Sequence, residues 1–277
     1  MRAAVALMFL LIVMTFSFEA DAAETDAEND LETTPANSSD DRQLTMDGPA
    51  LSREASQILT RMTDFISAAP AFYVVADSGN EVLQQDGQLL EFGAHFTLTI
   101  QRPSQANLRI DSRDGTAATT ILDGDAISVF SVIENIFYYD TTRQPGDINE
   151  SLNFLATQLG VPRQLPFILS KDFTASLSRV QSGYYVGEAT IDGVLCDHLA
   201  LRSEKLDVQL WIAKGNEPVP RRILIMHKED AGRPRVWFQF NEWDFSPKLS
   251  ERIFTLSPPQ DAERFRFFSD MPGEESD

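Results

Sequence analysis

The stretch that decides the fold is residues 95–124, HFTLTIQRPSQANLRIDSRDGTAATTILDG. Apolar and polar residues alternate through residues 96–100 and again at residues 108–110. This period of two predicts β-strands with one apolar face each. The pairs Asp114-Gly115 and Asp123-Gly124 are typical of tight turns between antiparallel strands. The stretch therefore predicts a run of consecutive antiparallel strands.

Similar signals on both sides of this stretch extend the strand-rich region. The sequence predicts a first group of about five strands and a second group of about five, separated by a helical region. The first group lies at Phe72–Ala76, His95–Arg102, Leu108–Ile110, Thr116–Leu122, Ala126–Ser131 and Asn135–Tyr139. The second group lies at Tyr184–Ile191, Val194–Arg202, Leu206–Ile212, Arg222–Lys228 and Arg235–Phe245. In the last of these, alternation predicts one face with Val236, Phe238 and Phe240 and the other with Trp237, Gln239 and Trp243.

Helical patterns precede and separate the two strand groups. From Ser52, a predicted N-cap, apolar residues recur every three or four positions until Pro70. Asp147 and Glu150 match a capping box, which predicts a second helix that Gly160 ends. The apolar face of that helix is predicted to contain Ile148, Leu152, Leu155 and Leu159. A looser helical stretch follows at Pro166–Val180, and the chain is predicted to be extended at Phe254–Pro259.

The order of these elements predicts an α+β fold that is mainly β. Strands and helices do not alternate, which disfavours a parallel sheet. We expect one strongly curved antiparallel sheet that forms an unclosed barrel, with helices covering its concave side.

The N-terminus predicts export. Arg2 precedes the apolar run Ala3–Phe18, and Ala20-Asp21-Ala22 has the small-x-small pattern that signal peptidase accepts. The run of about 16 residues is shorter than the roughly 20 of a membrane-spanning helix, although an uncleaved anchor is the alternative. We therefore predict a periplasmic protein. Its predicted parts are a cleaved signal peptide at 1–22, an acidic disordered linker at 23–48, one domain at 49–268 and an acidic tail at 269–277.

Composition excludes some partners. The net charge of −19 would repel nucleic acid and anionic membrane surfaces. Cys196 is the single cysteine, so no intramolecular disulfide forms, and we interpret it as a small buried hydrophobe. With 43% hydrophobic residues the chain has ample apolar surface for a packed core.

No catalytic or cofactor motif is present. The sequence lacks Gly-x-Ser-x-Gly, His-Glu-x-x-His, a Walker loop and Gly-x-Gly-x-x-Gly. Cys196 and His198 share one strand face and would offer a soft metal two ligands, but two ligands do not make a zinc site. We interpret both as packed side chains. We therefore predict no enzyme, no cofactor and no metal, with a hydrolase of unrecognised geometry as an alternative.

The apolar strand residues are the candidate functional feature. Inside a curved sheet they form one continuous surface, which is either a fully packed core or the lining of a cavity for a hydrophobic ligand. The predicted ligand-binding residues are Phe96, Leu98, Ile100, Leu108, Ile110, Leu206, Val208, Leu210, Phe238 and Phe240.

Several motifs resemble one superfamily. Leu210-Trp211-Ile212 followed by Pro218–Arg222 resembles the "LW(I/V)…LPRR" hairpin of the LolA-like lipoprotein-carrier superfamily, and Trp243–Pro259 resembles its closing segment. Asp192-Gly193-Val194, Cys196 and His198-Leu199-Ala200 are similar to its DUF2092-type periplasmic branch. The resemblance covers roughly Leu51 to Phe268.

The resemblance implies an unclosed barrel of about eleven strands with helices over its mouth. Members of the superfamily hold acyl chains, or sense envelope lipids and misfolded outer-membrane proteins. In the lipoprotein carrier an arginine is important for transfer, and its nearest positional counterpart here is Arg109.

We therefore expect a periplasmic monomer that binds a hydrophobic small molecule or a lipidated protein. A sensor or interaction module with an envelope protein partner and no lipid cargo is the first alternative.

Overall fold

The computed structural model describes residues 51–133, 136–151, 154 and 180–264. The predicted signal peptide, linker and tail lie outside the described residues. So do Leu152, Leu155, Leu159 and Gly160 of the predicted second helix, and nearly all of the looser helical stretch that follows it.

The predicted first helix is confirmed as α1, Arg53–Ala68. The side chain of Ser52 caps its N-terminus, accepting a hydrogen bond from the backbone N–H of Ala55 at 3.2 Å. The apolar positions at three- and four-residue spacing form one buried stripe, and the helix ends before Pro70. The buried apolar residues of this stripe are Ala55, Ile58, Leu59, Met62 and Ile66.

In the part of the chain that the structure describes, twelve strands follow in chain order, with one short 3-10 helix at Glu251–Phe254. The first six are β1 Ala71–Leu83, β2 Leu89–Gln101, β3 Gln105–Ser112, β4 Ala117–Asp123, β5 Ala126–Ile133 and β6 Ile136–Arg143. The others are β7 Ser182–Ile191, β8 Val194–Arg202, β9 Leu206–Ala213, β10 Pro220–His227, β11 Arg235–Asp244 and β12 Glu263–Arg264.

These strands form a single curved sheet in the order β12-β6-β5-β4-β3-β2-β1-β11-β10-β9-β8-β7. Two meanders, β1–β6 and β7–β11, meet where β1 pairs with β11, and all neighbours are antiparallel except the short β12 against β6. The sheet is unclosed, because β12 and β7 occupy opposite ends of this order. The predicted fold class is confirmed, and the described residues contain twelve strands where the resemblance implied about eleven.

The predicted capping box between the two meanders is also confirmed. The backbone N–H of Asp147 donates to the Glu150 carboxylate at 3.1 Å, and the N–H of Glu150 donates to the Asp147 carboxylate at 3.1 Å. Residues 148–151 are helical, and Ile148 is buried.

We call the sheet face on which α1 packs the inner face, and the opposite one the outer face. The apolar stripe of α1 belongs to the same hydrophobic cluster as inner-face residues of both meanders, so the core lies between α1 and the sheet. Within the described ranges, no helix has the length and apolar character needed to cross a bilayer.

The prediction that Trp243 lies on the same strand face as Trp237 is wrong. A β-bulge shifts the register between β1 and β11, since Val75 pairs with Glu242 while Ala76 pairs with Phe240. Asn241 is therefore an extra residue, and beyond it the alternation of faces is inverted. Trp243 consequently lies on the inner face and stacks on Phe240, with ring centroids 5.5 Å apart.

The predicted extended conformation at Phe254 is also wrong. Phe254 ends the 3-10 helix and is buried. The amide of Asn107, on β3, donates to the carbonyl of Ile253 at 2.6 Å, which holds this turn against the sheet. A single helical turn is too short to show a helical period in the sequence.

Candidate functional site

The strand register places all ten predicted ligand-binding residues on the inner face. For example, Phe96 pairs with Ala76, which pairs with Phe240, and Phe238 pairs with Ile223, which pairs with Leu210. All ten belong to one hydrophobic cluster or pack against it. Seven are buried: Phe96, Leu98, Ile100, Leu108, Leu210, Phe238 and Phe240. Ile110, Leu206 and Val208 are partly buried.

Sequence reasoning missed an aromatic cluster where α1 meets the sheet. Phe65 of α1 contacts Phe245 edge to face, with ring centroids 4.7 Å apart. Trp243 lies between Phe245 at 5.7 Å and Phe72 at 5.8 Å. Such aromatic pairs add about 0.5–1.5 kcal/mol each beyond simple burial. The bulge that brings Trp243 inward depends on strand pairing, so no local sequence signal could have revealed this cluster.

The inner face is open at the end formed by the β1–β2 hairpin. Leu90 and Phe92 share the face of Phe96, because they pair with Val82 and Asn80 of β1 in an unbroken register. Phe92 is 48% exposed and Leu90 is 37% exposed. The apolar surface therefore continues from the packed interior into solvent. The prediction missed these residues because it began the strand at His95, although the apolar alternation extends back to Leu90.

At its other end the inner face stops at a cation, Arg102. This residue follows Phe96, Leu98 and Ile100 in the same alternating series, just beyond the end of β2. Its Nε donates to the carbonyl of Ala69, next to the C-terminus of α1, at 3.2 Å. Its Nη2 is buried without a hydrogen-bond acceptor. Burial lowers the pKa of the Arg102 guanidinium, and the charge of Asp147 opposes this shift.

A polar groove of about 690 Å³ lies between α1 and the β7 side of the sheet. Its floor is the buried carboxylate of Asp197, which lies 3.6 Å from Arg61 Nη2 of α1 and 3.4 Å from Lys214 Nζ. Lys214 also contacts Glu188, and the hydrogen bond with Glu188 raises the pKa of Lys214. Glu54 also lines the groove, so the carboxylates of Glu54, Asp197 and Glu188 outnumber the two cations and the groove does not favour anions. Its main contribution is to tie α1 to the sheet.

Cys196 and His198 lie on the outer face. Cys196 is buried, and burial raises the pKa of its thiol. His198 stacks on Trp211 with ring centroids 4.3 Å apart, and its Nε2 lies 3.0 Å from the amide oxygen of Gln209. Both side chains are packed, as predicted. Within the described ranges, no group of three or more His, Cys, Asp or Glu side chains is placed to hold a metal ion.

Arg109 is also on the outer face. It pairs with Thr97 of β2 and Thr119 of β4, on the side opposite Leu108. Its guanidinium makes two hydrogen bonds to the Asp111 carboxylate, at 2.8 and 2.6 Å. Arg109 is therefore remote from the apolar lining, whereas Arg102 adjoins it.

A protein-family model with the description "Predicted periplasmic protein (DUF2092)" matches residues 55–268. No protein of curated function matches the chain significantly in sequence.

Similar solved structures include two mycobacterial proteins and one described by superfamily. Lipoprotein LppX from Mycobacterium tuberculosis is 15% identical, with 72% of this chain and 99% of LppX covered and a TM-score of 0.41. LprF from Mycobacterium bovis is 16% identical, with 72% and 96% covered and a TM-score of 0.44. A LolA superfamily protein from Nitrosomonas europaea is 12% identical, with 73% and 97% covered and a TM-score of 0.35.

Proposed function

Because the chain belongs to the DUF2092 family of predicted periplasmic proteins, as its motifs indicated, we propose that it is a periplasmic binding protein for a hydrophobic ligand. The ligand is a lipid, an acyl chain or a lipidated peptide, and it binds on the inner face without being chemically changed. The predicted signal peptide at 1–22 would deliver the protein to this compartment.

The observation that carries the proposal is the continuity of the apolar inner face. It runs from buried residues such as Leu98 to Phe92, which is 48% exposed at the open end. Burial of apolar surface contributes about 25 cal/mol per Å². An acyl chain laid across Leu90 and Phe92 would remove this surface from water, and it would then have a continuous apolar path toward the interior.

Deeper binding requires α1 to move, and a bound acyl chain would compensate for the apolar contacts that this movement breaks. The stripe of α1 touches the inner face through apolar side chains, whose contacts an acyl chain can replace with contacts of the same kind. The ion pair between Arg61 and Asp197 also ties α1 to the sheet. Since Arg61 is largely exposed, this pair contributes about 0–1 kcal/mol.

The test measures binding of the uncharged fluorescent probe N-phenyl-1-naphthylamine to the full chain. Leu90 and Leu89 are a matched pair, because both are 37% exposed and they lie side by side on opposite faces of β2. We expect Leu90→Ser to weaken probe binding several-fold and Leu90→Ser with Phe92→Ser to weaken it by about tenfold. Leu89→Ser should leave binding unchanged. Equal effects of Leu89→Ser and Leu90→Ser, or no probe binding at all, would contradict the proposal.

A second candidate function is a sensor or interaction module without lipid cargo. It is favoured by the outer face of β9–β11, where Trp211, Trp237 and Arg222 are partly exposed. Tryptophan and arginine are the residue types most enriched at the energetic centres of protein interfaces. This candidate predicts that an envelope protein partner binds in the absence of lipid. The double variant Trp211→Ala with Trp237→Ala should lose this binding, whereas Leu90→Ser should retain it.

A further inference from the structure

Arg102 terminates the apolar series of the inner face. Its backbone N–H donates to the carbonyl of Pro70 at 2.9 Å, which continues the pairing of β2 with β1 beyond Gln101. Arg102 is thus the next inner-face position after Ile100. From Phe92 to Arg102 the strand advances ten positions, or about 33 Å at roughly 3.3 Å per residue. This length accommodates an extended long acyl chain.

Among the described residues, the guanidinium of Arg102 has no matching anion. Its Nε bonds a carbonyl, its Nη2 is buried without an acceptor, and no carboxylate of the described residues lies within salt-bridge distance. The Asp147 carboxylate acts on Arg102 through space, while its Oδ1 accepts hydrogen bonds from the backbone N–H groups of Asn149 and Glu150. An arginine side chain stays protonated in proteins, so this end of the inner face carries a positive charge.

Three other arginines of the described residues have the carboxylate partner that Arg102 lacks. Arg109, Arg202 and Arg235 each make two or more hydrogen bonds to one carboxylate. Arg221 also has a buried nitrogen without an acceptor, but its charge acts on the Cys196 thiol, which belongs to the outer face. Arg102 therefore combines an unmatched charge with a position on the apolar lining.

An unsatisfied buried donor on a charged group is costly, and a bound anion would remove that cost. The planar guanidinium fork matches the two oxygens of a carboxylate or a phosphate. Resting on the function proposed above, we propose that Arg102 binds the anionic group of the ligand. The ligand class is then an anionic amphiphile, whose acyl chain follows the inner face and whose carboxylate or phosphate contacts Arg102.

The experiment displaces N-phenyl-1-naphthylamine from the full chain with three ligands that share a twelve-carbon tail: dodecanoate, dodecyl phosphate and dodecanol. We expect the two anions to bind about tenfold more tightly than the alcohol. This preference would oppose the net charge of −19, which repels anions. Arg102→Met should remove the preference while leaving dodecanol affinity unchanged, and Arg102→Lys should retain part of it. The control is Arg109→Met, an arginine of the outer face, which should keep the full preference.

The outcomes separate this inference from the proposed function. If all three ligands displace the probe equally and Arg102→Met changes nothing, the anion site is refuted while hydrophobic binding stands. If none displaces the probe, both are refuted. Acetate and inorganic phosphate are also tested alone. If either of them displaces the probe from wild type but not from Arg102→Met, the site binds free anions, and the proposal that the ligand is an amphiphile is overturned. Should Arg102→Met not fold, the wild-type preference among the three ligands still decides.

Discussion

The inner and outer faces of β9–β11 both carry aromatic side chains, yet they bury them in different ways. On the inner face, Phe238 and Phe240 are surrounded by apolar side chains and are buried. On the outer face, Trp237 lies 5.3 Å from the Arg222 guanidinium, and its ring N–H donates to the Glu91 carboxylate at 3.1 Å. Phenylalanine has no polar atom to satisfy, whereas tryptophan has one donor. Aromatic content therefore indicates a binding surface only once the strand register has assigned each ring to a face.

The largest expected effect contrasts two neighbours on β2. Leu98, on the inner face, is 1% exposed, and Thr97 faces the outer side opposite Arg109. Leu98→Glu places a carboxylate in an apolar core without a partner, and we expect it to destabilise the protein by more than about 4 kcal/mol or to abolish folding. Thr97→Glu should change stability by less than about 1 kcal/mol, since Arg109 lies beside it. Urea denaturation followed by circular dichroism measures both variants.

If Leu98→Glu and Thr97→Glu lower the free energy of unfolding by similar amounts, the inner and outer faces do not differ at the centre of β2. Loss of folding in Leu98→Glu would also explain why ligand binding must be tested at the exposed positions Leu90 and Phe92. There, a polar substitution changes the binding surface and leaves the core intact.

The sequence predicted most of the fold because its local signals agree with one another. The alternation at 95–100, the Asp-Gly turns and the Ser52 cap each correspond to the structure. At Asp192-Gly193, both residues have positive φ, 47° and 78°, as a two-residue hairpin turn requires. Local residue type and strand pairing here specify the same geometry.

The site was predicted less completely, because its remaining parts depend on contacts between distant segments. Trp243 reaches the inner face only through a bulge opposite β1, and the Asp147 carboxylate near Arg102 caps the helical turn at residues 148–151. Neither relation is visible in a window of sequence. The exposure of Phe92 likewise depends on how much of the inner face α1 covers.

A smaller effect is expected from the contact of Trp237 with Gly79 on the outer face. A Cβ at Gly79 would lie 2.5 Å from the Trp237 ring nitrogen, so Gly79→Ala forces the ring to move. We expect Gly79→Ala to destabilise the protein by about 1–2 kcal/mol. In the Trp237→Ala background the same change should be neutral or slightly stabilising, because alanine restricts the unfolded chain. A double-mutant cycle by urea denaturation measures this coupling, and a coupling of zero would mean that Trp237 does not lie over Gly79.

The smallest effect concerns the outer-face ion pair of Glu81 with Arg235. The Glu81 carboxylate accepts hydrogen bonds from the Arg235 side chain, at 2.6 Å from Nη2, and from its backbone N–H at 2.9 Å, and these bonds lower the pKa of Glu81. Because the folded pKa lies below the unfolded one, the pair stabilises the protein fully above the unfolded value of about 4.3, and the stabilisation is lost as pH falls through the folded value.

Glu81→Gln should therefore cost about 1 kcal/mol at pH 7, and progressively less as the pH falls below about 4. Unfolding free energies of wild type and variant across this range measure the difference. Glu242→Gln, an exposed acid of β11, is the control and should show no comparable loss at pH 7. A cost for Glu81→Gln that stays constant with pH would mean that it arises from packing. Side-chain packing would then stabilise this part of the outer face, as it stabilises the inner face. The two faces would no longer differ in their use of ion pairs at this position.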